Sequence, residues 1–265
     1  GRLSSETRPD GSTQTYTYDD NGRRTGRTTV EGNVTYTYDD NNNLLTITDK
    51  NGKITRGYDE LNRVVSYTNT AGQTIGYNYD NAGNLTKLIY PGNKAVTYTY
   101  NDNSQLSIVT DWNNRVTSYT YDNNGILKSI SRPDGSVETY TYNNASQLTK
   151  AVDKKADGTV INEYTYEYDE DGNIITENSA NEPNAALVGI NDTNMIYGAA
   201  NQLINFNDTV ITYDADGNSL KTPLGDDWGS LTYNSLNYLT NVAVGEDKAY
   251  SYTYDAEGYR TAKNE

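Results

Sequence analysis

Apolar and polar positions along the chain fall into one recurring phrase, seen in Tyr77-Asn78-Tyr79-Asp80-Asn81-Ala82-Gly83-Asn84-Leu85. Residues two apart in a β-strand share a face, so Tyr77 and Tyr79 lie together while Asn78 points away. With the second tyrosine as reference, the series runs Tyr18, Tyr38, Tyr58, Tyr79, Tyr100, Tyr121, Tyr142, Tyr168, Tyr197, Tyr213, Tyr233 and Tyr254. The spacings are 20, 20, 21, 21, 21, 21, 26, 29, 16, 20 and 21. A period in this range marks a stacked array of one supersecondary unit. Thr often separates the paired aromatics, as in Tyr98-Thr99-Tyr100, which makes one strand face aromatic and the other small and polar.

Four residues after each reference tyrosine stands Gly, Asn or Ser: Gly22, Asn42, Asn62, Gly83, Ser104, Gly125, Ser146, Gly172, Asn201, Gly217, Asn237 and Gly258. Gly and Asn accept positive φ, and the Asp and Asn residues just before them bond to local backbone, so a hairpin turn is predicted in every unit. Six residues after the tyrosine the chain is mostly aliphatic (Leu44, Leu85, Leu106, Leu127), and a further apolar residue often follows three later, such as Ile47 or Leu88. A separation of three puts the two on opposite faces unless a bulge intervenes, and the pattern leaves both arrangements open. A second turn closes each unit, for example Pro9-Asp10-Gly11, Ala71-Gly72 and Pro133-Asp134-Gly135.

Two turns and two short strands account for the period. The expected architecture is all-β: a single array of about twelve repeats over residues 1–265, with sequential strands pairing antiparallel in a long strip. Strand twist accumulates, so the strip is expected to spiral, with the tyrosine and leucine ladders on its concave side. One departure is predicted, an excursion loop near residues 177–192 with a helical turn around Ala185-Ala186-Leu187, and a smaller insertion lies around Lys154–Gly158. Gly1-Arg2-Leu3 reads as the returning half of a repeat and Glu265 falls inside one, so both ends read as cut from a longer array.

Composition changes the picture in one respect. Only 34% of residues are hydrophobic, and Phe, Met and Trp together number four against 26 Tyr, so the core is expected to be built mainly from tyrosine, each ring bringing a hydroxyl that needs a partner. The formal net charge of −15 repels phosphate backbones and anionic membranes, and no nucleic-acid or membrane partner is expected. No apolar run has the length of a membrane span, and the first residues carry no signal-peptide pattern.

Candidate chemistry is sparse. Without His or Cys, imidazole bases, thiolate nucleophiles and disulfides are excluded. Carboxylate pairs such as Asp19-Asp20, Asp39-Asp40 and Asp169-Glu170-Asp171 sit at solvated turns, where nothing drives their pKa values apart. Asp169-Glu170-Asp171-Gly172-Asn173 and Asp214-Ala215-Asp216-Gly217-Asn218 look like the first half of a calcium loop but lack its distal Glu, and local turn chemistry accounts for the same residues. Trp112 and Trp228 lie near second turns, as surface-binding or edge-packing residues. No residue is assigned to catalysis, cofactor or metal, and no cofactor is expected.

Tyr-Asp at the strand end, Gly three residues after that Asp, and Pro-Asp-Gly at the next turn resemble the YD-repeat (Rhs-repeat) family; Tyr121-Asp122-Asn123-Asn124-Gly125-Ile126-Leu127, running on to Pro133-Asp134-Gly135, carries the likeness best. Members include bacterial Rhs polymorphic toxins, shell components of insecticidal toxin complexes and animal teneurins. The resemblance implies a spiralling β-sheet shell, a non-enzymatic scaffold that encloses a C-terminal toxin domain of the same polypeptide, and a secreted or cell-surface bacterial location. Its alternative is an adhesion or carbohydrate-binding module with a glycan or cell-surface partner. Toxin-type members also carry a self-cleaving segment with an Asp-Pro motif; no Asp-Pro dipeptide occurs here, so no cleavage residue is carried over.

Overall fold

The computed structural model describes residues 1–179, 194–198, 201–224, 227–245 and 248–265. Among these, nearly all regular structure is antiparallel strand, and one short 3₁₀ turn at Pro91–Asn93 is the exception. Seventeen strands, from Ser5–Thr7 to Ile174–Ser179, belong to one sheet; a three-stranded sheet (Met195–Tyr197, Leu203–Phe206, Thr209–Val210) and a five-stranded sheet ending at Arg260–Asn264 follow. The chain packs as two compact units, one made of Gly1–Thr74 with Gly189–Glu265 and the other of Ile75–Val188. From residue 180 onward, the excursion loop and helical turn expected near 177–192 lie outside the described residues.

The hairpin chemistry is uniform. In the turn after Tyr38, Asn42 N–H donates to the Asp39 carbonyl at 3.1 Å and Asp39 N–H donates to the Asn43 carbonyl at 3.0 Å. This is a type I turn closed by a left-handed residue, the usual three-residue hairpin loop. All twelve positions picked out by Gly, Asn or Ser have positive φ, from 58° at Asn201 to 91° at Gly83. The insertion around Lys154–Gly158 is absorbed as a longer hairpin: Leu148–Lys154 and Val160–Tyr168 extend, and Gly158 makes the turn at φ 86°.

A bulge answers the question that the spacing of Leu85 and Leu88 left open. Tyr79 pairs with Leu85, Asn78 with Lys87 and Tyr77 with Leu88, so Thr86 is the extra residue. Directly paired residues share a face, which puts Leu85 and Leu88 on the tyrosine side together. The same shift recurs: Tyr38 faces Leu44 and Tyr36 faces Ile47, Tyr100 faces Leu106 and Tyr98 faces Val109, Tyr121 faces Leu127 and Tyr119 faces Ile130. These repeats each build a two-by-two block of aromatic and aliphatic side chains, whereas Tyr16 and Tyr18 face Arg27 and Arg24, and Tyr252 and Tyr254 face Lys263 and Arg260.

Burial within those blocks differs from the tyrosine core that composition suggests. Among the described residues the buried apolar side chains are Val34, Ile47, Ile54, Val96, Val152, Ile211 and Val242, and no tyrosine is among them. Val34, Ile54 and Val96 stand four residues before a reference tyrosine, on its face, and Ile54 is fully buried. The strand Gly32–Tyr38 shows the alternation: Val34 buried, Tyr36 and Tyr38 half-buried, Thr35 and Thr37 exposed. A ring with a polar tip stops short of full burial because the hydroxyl must reach a partner, while a β-branched aliphatic has no such requirement.

Candidate functional site

The hydroxyl partners are themselves periodic. Tyr38 Oη donates to the Arg24 carbonyl at 2.8 Å, Tyr58 to Leu44 at 2.9 Å, Tyr100 to Leu85 at 2.8 Å, Tyr121 to Leu106 at 2.8 Å and Tyr254 to Leu239 at 2.7 Å. Each acceptor lies six residues after the reference tyrosine of the preceding repeat. Tyr18, Tyr168 and Tyr213 make bonds of the same kind, to the carbonyls of Leu3, Leu148 and Leu203. The phenol is a tie between repeats, which phenylalanine could not supply.

Turn carboxylates are consumed in the same way. Asp39 Oδ1 accepts the N–H groups of Asn41 and Asn43 at 2.9 and 2.8 Å, and Oδ2 accepts Asn43 Nδ2 at 2.9 Å. Arg23 and Arg63 take the place of that Asn opposite Asp19 and Asp59. Where the turn begins with Asn, the partner becomes a Gln acceptor, as in Asn101–Gln105 and Asn143–Gln147. Bonds from the Asn side chain, then from the backbone, hold the carboxyls of Asp39, Asp80, Asp169 and Asp214 below the ordinary aspartate value. Position five, which supplies this partner, was not singled out by the sequence pattern, although its Asn, Arg and Gln residues are visible there. Neighbouring turns are also linked: Asn43 Nδ2 donates to Asn62 Oδ1 at 2.7 Å, and Gln105 Nε2 to the Gly125 carbonyl at 2.7 Å.

The two calcium-like segments fold as ordinary turns. Asp169 Oδ1 accepts Asp171 N–H and Asn173 N–H, and its Oδ2 accepts Asn173 Nδ2; Asp214 bonds Asp216 and Asn218 identically. The two tryptophans each pack against another aromatic ring. Trp112 meets Tyr90 edge-to-face with centroids 5.7 Å apart, and Trp228 meets Phe206 at 6.1 Å. A lysine ammonium stands over each indole, Lys94 and Lys221 respectively.

Within the unit formed by Gly1–Thr74 and Gly189–Glu265, early repeats meet late ones. Arg56 pairs with Glu257, whose other oxygen accepts Tyr67 Oη at 3.3 Å. Asn51 Nδ2 donates to the Tyr254 carbonyl at 2.9 Å, Ser235 N–H to Glu31 at 3.2 Å, and Arg8 lies 3.6 Å from Asp216. Burial, reinforced by the Glu257 charge, pushes the Tyr67 phenol up to about 12. Val34, Ile47 and Ile54 form the apolar cluster beside this seam, with Ala256 packed against it. A cavity of about 180 Å³ opens along the seam between residues 27–51 and 234–256.

The RHS Repeat family model matches residues 1–34, 58–95 and 79–116, and the Teneurin YD-shell model matches residues 134–265. The chain belongs to the YD-repeat (Rhs-repeat) family. Its fold matches that of the Tc holotoxin pore of Photorhabdus luminescens at TM-score 0.69, with 17% identity over 99% of this chain and 18% of that one. The crystal structure of TcdB2-TccC3-Cdc42 matches at TM-score 0.55, with 15% identity over 96% of this chain and 19% of that one. This YD-repeat chain therefore spans under a fifth of the length of these two solved chains. No curated protein sequence matches it.

Proposed function

We propose that these residues serve as a non-catalytic wall segment, part of a longer YD-repeat shell whose partner is an adjacent domain of the same secreted or cell-surface polypeptide. One observation carries this reading. The polar chemistry that repeats in each unit is directed at the neighbouring backbone or the neighbouring repeat: tyrosine hydroxyls tie successive repeats, and turn carboxylates hold their own hairpins. Groups committed to internal bonds are held in place and are not free to turn over a substrate. The match of residues 134–265 to the shell model supports the same reading.

The test is limited proteolysis of the full polypeptide that carries these repeats, read by mass spectrometry. A wall should keep an enclosed neighbouring domain uncut until denaturant unfolds the array. Cleavage of that domain at the rate seen for the free domain refutes the proposal.

A further inference from the structure

One hairpin pair displays what another lacks. Between the hairpins that follow Tyr18 and Tyr38, the Arg23 guanidinium fills the groove. Its Nε donates to Asp19 Oδ2 at 2.6 Å, and its Nη1 donates to the Asp39 carbonyl at 3.0 Å and to Asn42 Oδ1 at 2.9 Å. Its Cζ stands 5.0 Å from the centre of the Tyr38 ring. At other repeats an Asn or Gln at position five makes a similar link to the next turn, as Asn43 does to Asn62.

The groove between the hairpins after Tyr121 and Tyr142 has the same walls without that filling. Position five is Ile126, which neither bonds Asp122 nor links to the next turn. Asp122 Oδ1 accepts the N–H groups of Asn124 and Ile126 at 2.9 Å each, so the turn is intact, while Oδ2 takes no hydrogen bond among the described residues. Asp122, Tyr142, Asn143 and Ser146 line an open groove of about 430 Å³, with Ile126 and Lys128. By repeat position these first four correspond to Asp19, Tyr38, Asp39 and Asn42, the groups that hold Arg23. Ser146 N–H donates to the Asn143 carbonyl at 3.0 Å as Asn42 N–H does to the Asp39 carbonyl at 3.1 Å, so the second turn is built alike in both places. The Tyr142 hydroxyl makes no tie to the Leu127 carbonyl, although Tyr121 makes the equivalent tie to Leu106. Burial, and then the Asp122 charge, push the Tyr142 phenol above its ordinary value.

We propose that this groove is a socket for a guanidinium, filled by an arginine that a neighbouring polypeptide presents. The planar fork donates to Asp122 Oδ2 and across to the Asn143 carbonyl or Ser146 Oγ, with its face on the Tyr142 ring, as Arg23 does in its own groove. Ile126 offers an apolar surface to the methylene stem. Lys128, exposed and without an ion pair among the described residues, opposes a bare cation, so the arginine that fits carries a carboxylate beside it. The proposal goes beyond the wall reading and does not depend on it.

The experiment titrates isotope-labelled protein with N-acetyl-L-arginine, with the corresponding amide, which lacks the carboxylate, and with N-acetyl-L-citrulline, whose neutral urea replaces the guanidinium, and follows amide shifts by NMR. Saturable shifts centred on residues 122–126 and 143–146 are expected with N-acetyl-L-arginine, at a Kd on the order of 1 mM because the groove is open to water. The citrulline derivative should bind about tenfold more weakly and the amide about threefold. Ile126→Asn gives Asp122 the partner that Asn43 gives Asp39, so the hairpin should hold or stabilise while affinity falls about tenfold or more. D122N keeps the turn, since Asn101 and Asn143 begin equivalent turns, and should weaken binding comparably. D169N alters another turn of the same kind and should leave affinity unchanged. No saturable shift at these residues, the citrulline derivative or the amide bound as tightly as N-acetyl-L-arginine, or undiminished affinity in both I126N and D122N overturns the proposal.

Discussion

The tyrosine ties between repeats give the most discriminating prediction, because each strand carries its own control. In Lys94–Tyr100, Tyr100 Oη donates to the Leu85 carbonyl at 2.8 Å, while Tyr98, two residues earlier on the same face, makes no hydrogen bond among the described residues. In Val116–Tyr121, Tyr121 bonds the Leu106 carbonyl at 2.8 Å and Tyr119 makes none. Replacing Tyr by Phe removes the hydroxyl and keeps the ring, so packing is nearly conserved. A half-buried neutral hydrogen bond contributes about 1 kcal/mol net. Y100F and Y121F should each lower stability by about that amount, and Y98F and Y119F by less than about 0.3 kcal/mol. Consecutive reference tyrosines stand two strands apart, about 10 Å, so Y100F and Y121F together should cost about 2 kcal/mol. That is a large fraction of the ~5–15 kcal/mol typical of a folded domain. Denaturant titration followed by circular dichroism, with protected amides counted by hydrogen exchange, measures the difference. Equal costs at Tyr98 and Tyr100, or none at either, would mean that the phenols matter for solubility or ring packing and that the ties carry no stability.

Two further tests follow from the turns and the rings. At Gly83, φ is 91° and an added Cβ would meet nothing within 4 Å, so Gly83→Ala isolates backbone strain and should destabilise by about 1–2 kcal/mol in the same titration. The carboxyls of Asp39, Asp80, Asp169 and Asp214 titrate below 3.8 when folded, so their contribution is complete above that value and is lost as pH falls through the lowered folded values. Tyr67 and Tyr140, raised mainly by burial to about 12, act with the opposite sign: their contribution is complete below 10.0 and is lost as pH rises towards 12. Stability against pH should thus form a plateau with an acid edge below 4 and an alkaline edge above 10. A steady decline through neutral pH would contradict these assignments.

Much of this architecture is legible in the chain because the causes are local. A three-residue hairpin loop closes its type I turn with a left-handed residue at one offset, and Asn42, Ser104 and Gly83 mark it whatever surrounds them. The tyrosine pair marks the covered face, and the period names the family. Asp39 and Asn43 are four residues apart, so their bond too is implicit in the repeat, even though its partner position is easily overlooked.

What tertiary structure alone decided has longer reach. Whether Leu85 and Leu88 share a face depends on a bulge at Thr86, which is a property of two paired strands and not of either sequence. The fully buried Ile54 lies in the cluster against which Ala256 of a late repeat packs, and contacts such as Asn51 with Tyr254 join residues 203 apart. No period encodes a meeting at that separation. The same meeting brings together Tyr238 and Tyr259: in the sequence they are two lapses in a polar pattern, and in the fold their turns, with Asn234 and Asp255 held by backbone N–H groups alone, lie beside one cavity. Local periodicity specified the building unit, and long-range packing chose which copies of it meet.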